Sequence, residues 1–175
     1  MAKVTIIGAT GNVGMFAAHA ISAIPHVSDI LLYGREGRES LLKGISQDLV
    51  DSFAARGTDI ETSWTTNLMD VAGSDIVVIT AGEPRTAGQD RLDLAMSNAK
   101  IIAPIAKTVG NTAPDTKILM VTNPVDIMTS VALKYSGLKP NQVFGLGTHL
   151  DSMRLKSLIA AYFRVHVSEV HTRII

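Results

Sequence analysis

Apolar residues in this chain follow two spacings that alternate along its length. Short, nearly continuous apolar runs fall at 3–8, 30–33, 60–64, 74–82, 117–121 and 143–147. Between them lie longer segments, 12–24, 40–53, 92–109, 125–135 and 150–163, whose apolar positions recur near helical spacing. The first kind predicts strands and the second helices. The runs at 74–82 and 117–121 show no polar alternation, which predicts strands buried on both faces of a parallel sheet. Strands alternating with helices predict an α/β fold with a doubly wound parallel sheet. Pro25 is expected to stop the first helix and Pro104 to kink the third long one. A last apolar run, 167–175, predicts a further strand.

Ligands in such sheets sit at the carboxyl ends of the strands. The stretches placed there are the turn after the first run, 34–38, 82–91, 122–126 and 147–154. The first of them reads Gly8-Ala9-Thr10-Gly11-Asn12-Val13-Gly14. Gly8 permits a sharp turn off the strand, Gly11 lets a pyrophosphate approach the backbone, and Gly14 allows close packing of helix on strand. The amides and dipole of the helix that follows favour a negative charge. The fingerprint G-x-G-x-x-G is present with its first glycine displaced by one position. The prediction is a Rossmann-type dinucleotide-binding domain; the alternative is a glycine-rich turn in another α/β protein.

The stretch after the second strand is where such folds read the adenosine ribose. It carries Gly34 at its tip, with Arg35 and Arg38 close behind, and no carboxylate at the tip. Guanidinium groups pair well with phosphate, so this favours NADP, with NAD as second choice. A solvated loop whose arginines meet only water is the alternative.

Further along, Gly82-Glu83-Pro84-Arg85-Thr86-Ala87-Gly88-Gln89-Asp90-Arg91 is a glycine-bounded loop with two arginines, expected to hinge over a site. Asn123 precedes Pro124 at the end of a buried strand. Asp151 and Arg154, three apart at the start of a helix, share one face. Arg85, Arg91 and Arg154 together call for an anion, and a small carboxylic acid would suit.

Composition narrows the partners. In 175 residues, Lys+Arg and Asp+Glu are 16 each, so no basic face argues for nucleic acid. The chain has no cysteine, which excludes disulfides, thiolate nucleophiles and cysteine-based zinc sites. No apolar stretch is long enough to span a bilayer, so no membrane is expected and a cytoplasmic location is the default.

The combination of the Gly8–Gly14 turn with Thr80-Ala81-Gly82-Glu83-Pro84-Arg85, Gln89-Asp90-Arg91-Leu92-Asp93-Leu94, Val121-Thr122-Asn123-Pro124-Val125-Asp126 and Gly145-Leu146-Gly147-Thr148-His149-Leu150-Asp151-Ser152-Met153-Arg154 closely resembles the malate/lactate dehydrogenase family. Gly34-Arg35 and the Thr-His-Leu-Asp-Ser block look most like its archaeal malate dehydrogenase branch. The resemblance implies that Arg91 polarises the substrate carbonyl and that Arg85 selects the substrate side chain. An arginine there favours a dicarboxylate, hence malate and oxaloacetate over lactate and pyruvate. It implies that Asn123 contacts substrate and nicotinamide ahead of a cis bond to Pro124, that Arg154 grips the 1-carboxylate, and that Asp151 orients a catalytic histidine. Cofactor contacts are implied at Gly8, Gly11, Asn12, Val13, Gly14, Gly34, Arg35, Arg38, Thr80, Ala81, Gly82, Asn98, Val121 and Asn123. A homo-oligomer, dimer or tetramer, is implied for the complete protein.

The histidine is the departure. In the family it sits in a Gly-Glu-His-Gly-Asp block just after a strand like 170–175, where this chain stops. None of His19, His26, His149, His166 and His171 takes the role by motif. The reading is a dinucleotide-binding domain over 1–145 and the start of a substrate domain over 146–175, expected to bind cofactor but turn over little alone. A non-catalytic nucleotide-binding module, a lactate-type dehydrogenase and, more weakly, a glycosidase on a related NAD-binding fold are the rivals.

Overall fold

The computed structural model describes residues 1–175 apart from Ala87 and Gln89, and of Arg91 the backbone alone. Two compact units divide the chain, Met1–Gly145 and Leu146–Ile175.

In the first unit the elements run β1 (Ala2–Ile7), α1 (Asn12–Ile21), β2 (Val27–Tyr33), α2 (Glu39–Arg56), β3 (Glu61–Thr65), β4 (Ile76–Ile79), α3 (Arg91–Thr112), β5 (Lys117–Met120), α4 (Val125–Ser136) and β6 (Val143–Gly145). Short 3-10 turns at Leu68–Val71 and Pro140–Gln142 lead into β4 and β6. All the strand pairs are parallel, in the order β3-β2-β1-β4-β5-β6. The doubly wound sheet expected from the apolar pattern is present, with the order reversing between β1 and β4.

The continuous apolar runs have a direct cause. In β1, Val4 and Ile6 enter one core cluster with Leu42, Ile45, Leu49 and Phe53 of α2. Ile7 enters another with Ile102, Ala106 and Val109 of α3 and Met128 and Ala132 of α4. Likewise Val78 of β4 lies in the first cluster while Val77 and Ile79 lie in the second. Helices cover both faces, so successive side chains are all buried. Thr5, a polar residue inside β1, is fully buried and satisfied by Ser74 Oγ at 2.6 Å. Edge strand β3 is mostly exposed and correspondingly polar.

Several boundaries move. Helix α1 stops at Ile21, before Pro25. The helix ends where Pro25 has no N–H for the Ile21 carbonyl, and there Ser22 Oγ donates to the His19 carbonyl at 2.7 Å and accepts from Arg56 Nη2 at 2.7 Å. Strand β2 begins at Val27, ahead of its apolar run, because Val27 and Asp29 pair with Ala2 and Lys3 of β1. Helix α3 continues through Pro104 to Thr112.

The second unit holds α5 (His149–Phe163) and a 3-10 turn at Val167–Glu169. The strand expected over 167–175 does not form. After the turn, Ile174 N–H donates to Ser152 Oγ at 3.0 Å, and Thr148 Oγ1 donates to the Ile174 carbonyl at 2.7 Å. Thr148, the N-cap of α5, and Ser152 within it take the two backbone groups of Ile174 that a neighbouring strand would otherwise satisfy.

Two helical glycines should respond oppositely to alanine. A Cβ on Gly110 would lie 1.9 Å from the Ser136 carbonyl oxygen, where α3 crosses the end of α4. Gly110→Ala should therefore cost about 1–3 kcal/mol. Nothing lies within 4 Å of a Cβ on Gly44, exposed in mid-α2, so Gly44→Ala should add about 0.5–1 kcal/mol. Urea denaturation of both variants checks the pair.

Asp29 supplies a pH test. It stands opposite Glu61 across the β2–β3 ladder, and its Oδ1 is buried without a partner. Burial, partly offset by Lys3 and reinforced by Glu61, raises its carboxyl above the ordinary 3.8. The folded state thus binds this proton more tightly than the unfolded chain, so stability falls as pH rises through the folded value. Asp29→Asn should raise the melting temperature by about 1–2 °C at pH 7, and the gain should vanish near pH 4.

Candidate functional site

The carboxyl ends of β1 and β4 meet where the strand order reverses, and the glycine turn fills that corner. Gly8 has φ +93°, a conformation in which a side chain is strained. A Cβ there would lie 2.7 Å from Ala81 N and 2.8 Å from Thr80 Oγ1, so the turn is pressed against the chain leaving β4. Thr80 Oγ1 donates to the carbonyls of Ile7 at 3.1 Å and Gly8 at 3.3 Å. The Gly8 and Ala9 amides both donate to the Tyr33 carbonyl at 3.1 Å, which ties the turn to β2.

The other two glycines differ in what they face. A Cβ on Gly14 would lie 2.3 Å from the Gly8 carbonyl oxygen and 2.9 Å from Ala9 Cα. The helix start can sit on the strand end only without that carbon. A Cβ on Gly11 would meet nothing nearer than Gly8 O at 3.5 Å, an ordinary contact. No protein neighbour requires a glycine at 11. It is exposed, as are Asn12 and Val13. Gly11 is also the N-cap of α1; no side chain caps that end, and its first turn holds no acidic residue. Open backbone space beside an uncapped, uncompensated helix N-terminus is what a phosphate group fits.

Beyond β2, Gly34 is buried. A Cβ there would come within 3.1 Å of Thr10 Cγ2 and Leu42 Cδ1. Arg35 and Arg38 follow it, both exposed. In the same loop the Gly37 amide donates to Glu39 Oε1 at 3.0 Å. The backbone amides of Glu39 itself and of Gly37 hold that carboxyl below its ordinary value.

Beyond β4 and β5 the chain is tied across twice. Thr122 Oγ1 donates to the Ala81 carbonyl at 2.7 Å and the Ile79 carbonyl at 3.3 Å. Asn98 of α3 is 1% exposed; its Oδ1 accepts from Glu83 N–H at 2.7 Å and its Nδ2 donates to the Asn123 carbonyl at 2.8 Å. A Cβ on Gly82 would strike Thr122 Cγ2 at 2.5 Å and Asn98 Oδ1 at 3.0 Å. The Asn123–Pro124 bond is cis and Asn123 is exposed. Gly8, Thr80, Ala81, Gly82, Asn98, Val121 and Asn123 thus belong to one neighbourhood built on the ends of β1, β4 and β5. Asn98 lies in this neighbourhood with its amide buried and bonded to two backbone segments. Thr122 is a site-building residue that pattern reading left without a role. Its signal was a hydroxyl directly after a buried strand, where ladder partners run out.

Arg85 is exposed on the loop after β4, and the side chain of Arg91 lies outside the described residues. In the second unit, Arg154 Nη1 meets Asp151 Oδ1 at 3.0 Å, both side chains more than half exposed. Asp151 thus pairs with an arginine, and among the described residues no histidine is bonded to it.

Residues 2–145 match the family model for the lactate/malate dehydrogenase NAD binding domain. The chain is 52% identical to a malate dehydrogenase of Methanothermobacter marburgensis, over 99% of this chain and 53% of the relative. It is 48% identical to the L-2-hydroxycarboxylate dehydrogenase (NAD(P)(+)) of Methanocaldococcus jannaschii, over 99% and 56%. Among solved structures it resembles the malate dehydrogenase of Archaeoglobus fulgidus in complex with NADH, with TM-score 0.84 and 39% identity over 91% of this chain and 53% of that one. The chain spans about half the length of the curated relatives it matches.

The glycine turn yields a paired expectation. Gly14→Ala should lower the melting temperature by about 5 °C or more, because overpacking of this kind costs about 1–3 kcal/mol. Gly11→Ala should leave it within about 1 °C. Thermal unfolding followed by circular dichroism measures both.

Proposed function

The chain belongs to the lactate/malate dehydrogenase family, and from that premise we propose that it holds a nicotinamide dinucleotide for the interconversion of malate and oxaloacetate. The observation carrying this reading is the uncapped start of α1 beside open space at Gly11, pressed by Gly8 and Gly14 against the strand ends. In the proposal the pyrophosphate lies on the amides at the head of α1. The ribose of the adenosine lies near Gly34, whose buried, side-chain-free position leaves recognition to Arg35 and Arg38. When bound, the cofactor supplies hydride acceptance and donation at the nicotinamide ring.

The chain's own residues then bind and orient. Asn123 and the backbone at Thr80, Ala81, Gly82 and Val121 border the nicotinamide half. Arg85 takes the distal carboxylate and Arg91 polarises the carbonyl. Arg154 grips the 1-carboxylate with a guanidinium that the 3.0 Å pair to Asp151 helps to orient. Paired hydrogen bonds from a planar guanidinium suit carboxylates and fix their direction. Orienting both reactants is itself a large part of such catalysis. The unit Leu146–Ile175 is read as the start of a substrate domain, and a cytoplasmic homo-oligomer as the setting.

Cofactor choice is the finer part of the proposal. Arg35 and Arg38 are exposed, and no carboxylate occupies the tip at Gly34. This favours NADP over NAD, and the Methanocaldococcus jannaschii relative is named for both.

Calorimetric titration of the 175-residue chain tests the reading. NADP+ should bind about tenfold more tightly than NAD+, and Arg35→Ala should bring the two together. Equal affinities in both proteins would remove the NADP preference, and absence of binding by either cofactor would remove the function. Oxaloacetate reduction by the 175-residue chain should be slight, since among the described residues no histidine is bonded to Asp151; robust turnover would contradict that.

A further inference from the structure

We propose that Asn98 is a positioning residue for the nicotinamide half of the dinucleotide site, acting through two backbone segments and touching no ligand itself. This rests on the cofactor reading above and adds a residue role to it. A doubly wound sheet of this order comprises two mononucleotide-binding halves, β1-β2-β3 and β4-β5-β6. Both bonds of the Asn98 amide fall in the second half. One reaches Glu83, at the start of the loop that carries Arg85, and the other reaches Asn123.

The chemistry of the link is specific. Oδ1 must accept and Nδ2 must donate, in opposite directions, from one planar group of fixed length. Burial to 1% exposure leaves no face for a cofactor and raises the cost of an unpaired group. Thr122 already joins the strand ends through the Ala81 carbonyl. Asn98 reaches further out, joining residues 83 and 123 beyond the last ladder bonds. Gly82 lies between these ties with no room for a Cβ. With the tie cut, the two segments would keep their strands but lose their mutual register. The adenosine half, held by the glycine turn and β2, would be unaffected.

The test compares two ligands that differ at the nicotinamide ring. NAD+ carries it and ADP-ribose does not; neither bears a 2′-phosphate. The proteins are the 175-residue chain, Asn98→Asp and Asn98→Ser, titrated by calorimetry at pH 7.5 and at about pH 5. At pH 7.5 the ionised carboxylate still accepts from Glu83 N–H but opposes the Asn123 carbonyl. Asn98→Asp should lose about tenfold in NAD+ affinity while ADP-ribose stays within about twofold. At the lower pH a protonated carboxyl carries one donor and one acceptor, as the amide does. NAD+ affinity should then recover toward that of the parent chain. Asn98→Ser should remain weak for NAD+ at both pH values, which controls for effects of pH unrelated to position 98.

A purely structural role predicts parallel losses for both ligands and no recovery, and that result overturns the proposal. So does unchanged NAD+ affinity in both variants, or a parent chain that binds NAD+ no better than ADP-ribose. A parent chain that binds neither ligand fails the cofactor reading, and the role of Asn98 falls with it.

Discussion

The site depends on an approach that only a missing carbon permits. Helix α1 starts so close to the end of β1 that a Cβ on Gly14 would sit 2.3 Å from the carbonyl oxygen of Gly8. That contact fixes where the head of the helix points its amides. Three strands then hold the turn in place. Tyr33 of β2 accepts from two of its amides, Thr80 beyond β4 donates to two carbonyls around it, and β1 feeds directly into it. Several of the turn's backbone groups are thus bonded, while the head of the helix is left uncapped. A surface built this way presents partial positive charge without having to reorganise.

The same sheet explains why the second half needs its own ties. Parallel strands end together at one edge, and the chain leaves that edge in loops whose ladder partners have run out. In the half formed by β1, β2 and β3 the glycine turn is short and is tied by Tyr33 and Thr80. In the half formed by β4, β5 and β6 the exits are longer, and Thr122 and Asn98 replace the missing ladder with side-chain bonds. Both are buried polar residues, which is affordable because every bond they need is close by.

The arginines follow a different logic. Arg35, Arg38, Arg85 and Arg154 are exposed, so holding them costs the fold little desolvation. The pair between Arg154 and Asp151 adds little stability at that exposure.

Much of this was written in the local pattern. Continuous apolar runs announced strands covered on both faces, and Val77, Val78 and Ile79 show the cause by entering opposite cores in turn. The glycine triplet announced the turn and the helix behind it, and the element order announced the doubly wound sheet. What the pattern left open depended on partners far along the chain. Ser22, just past α1, is held by Arg56, thirty-four positions later. Val27 joins β2 because β1 offers it a ladder, and in the stretch 170–175, which forms no strand, Thr148 and Ser152 take both backbone groups of Ile174. Nothing adjacent to Asn98 in sequence distinguishes a ligand contact from a buried tie. Side-chain spacing records which face is buried, so the sequence alone determined the layers. Hydrogen bonds between distant segments are set only when those layers pack, so the tertiary structure decided the site's fine geometry.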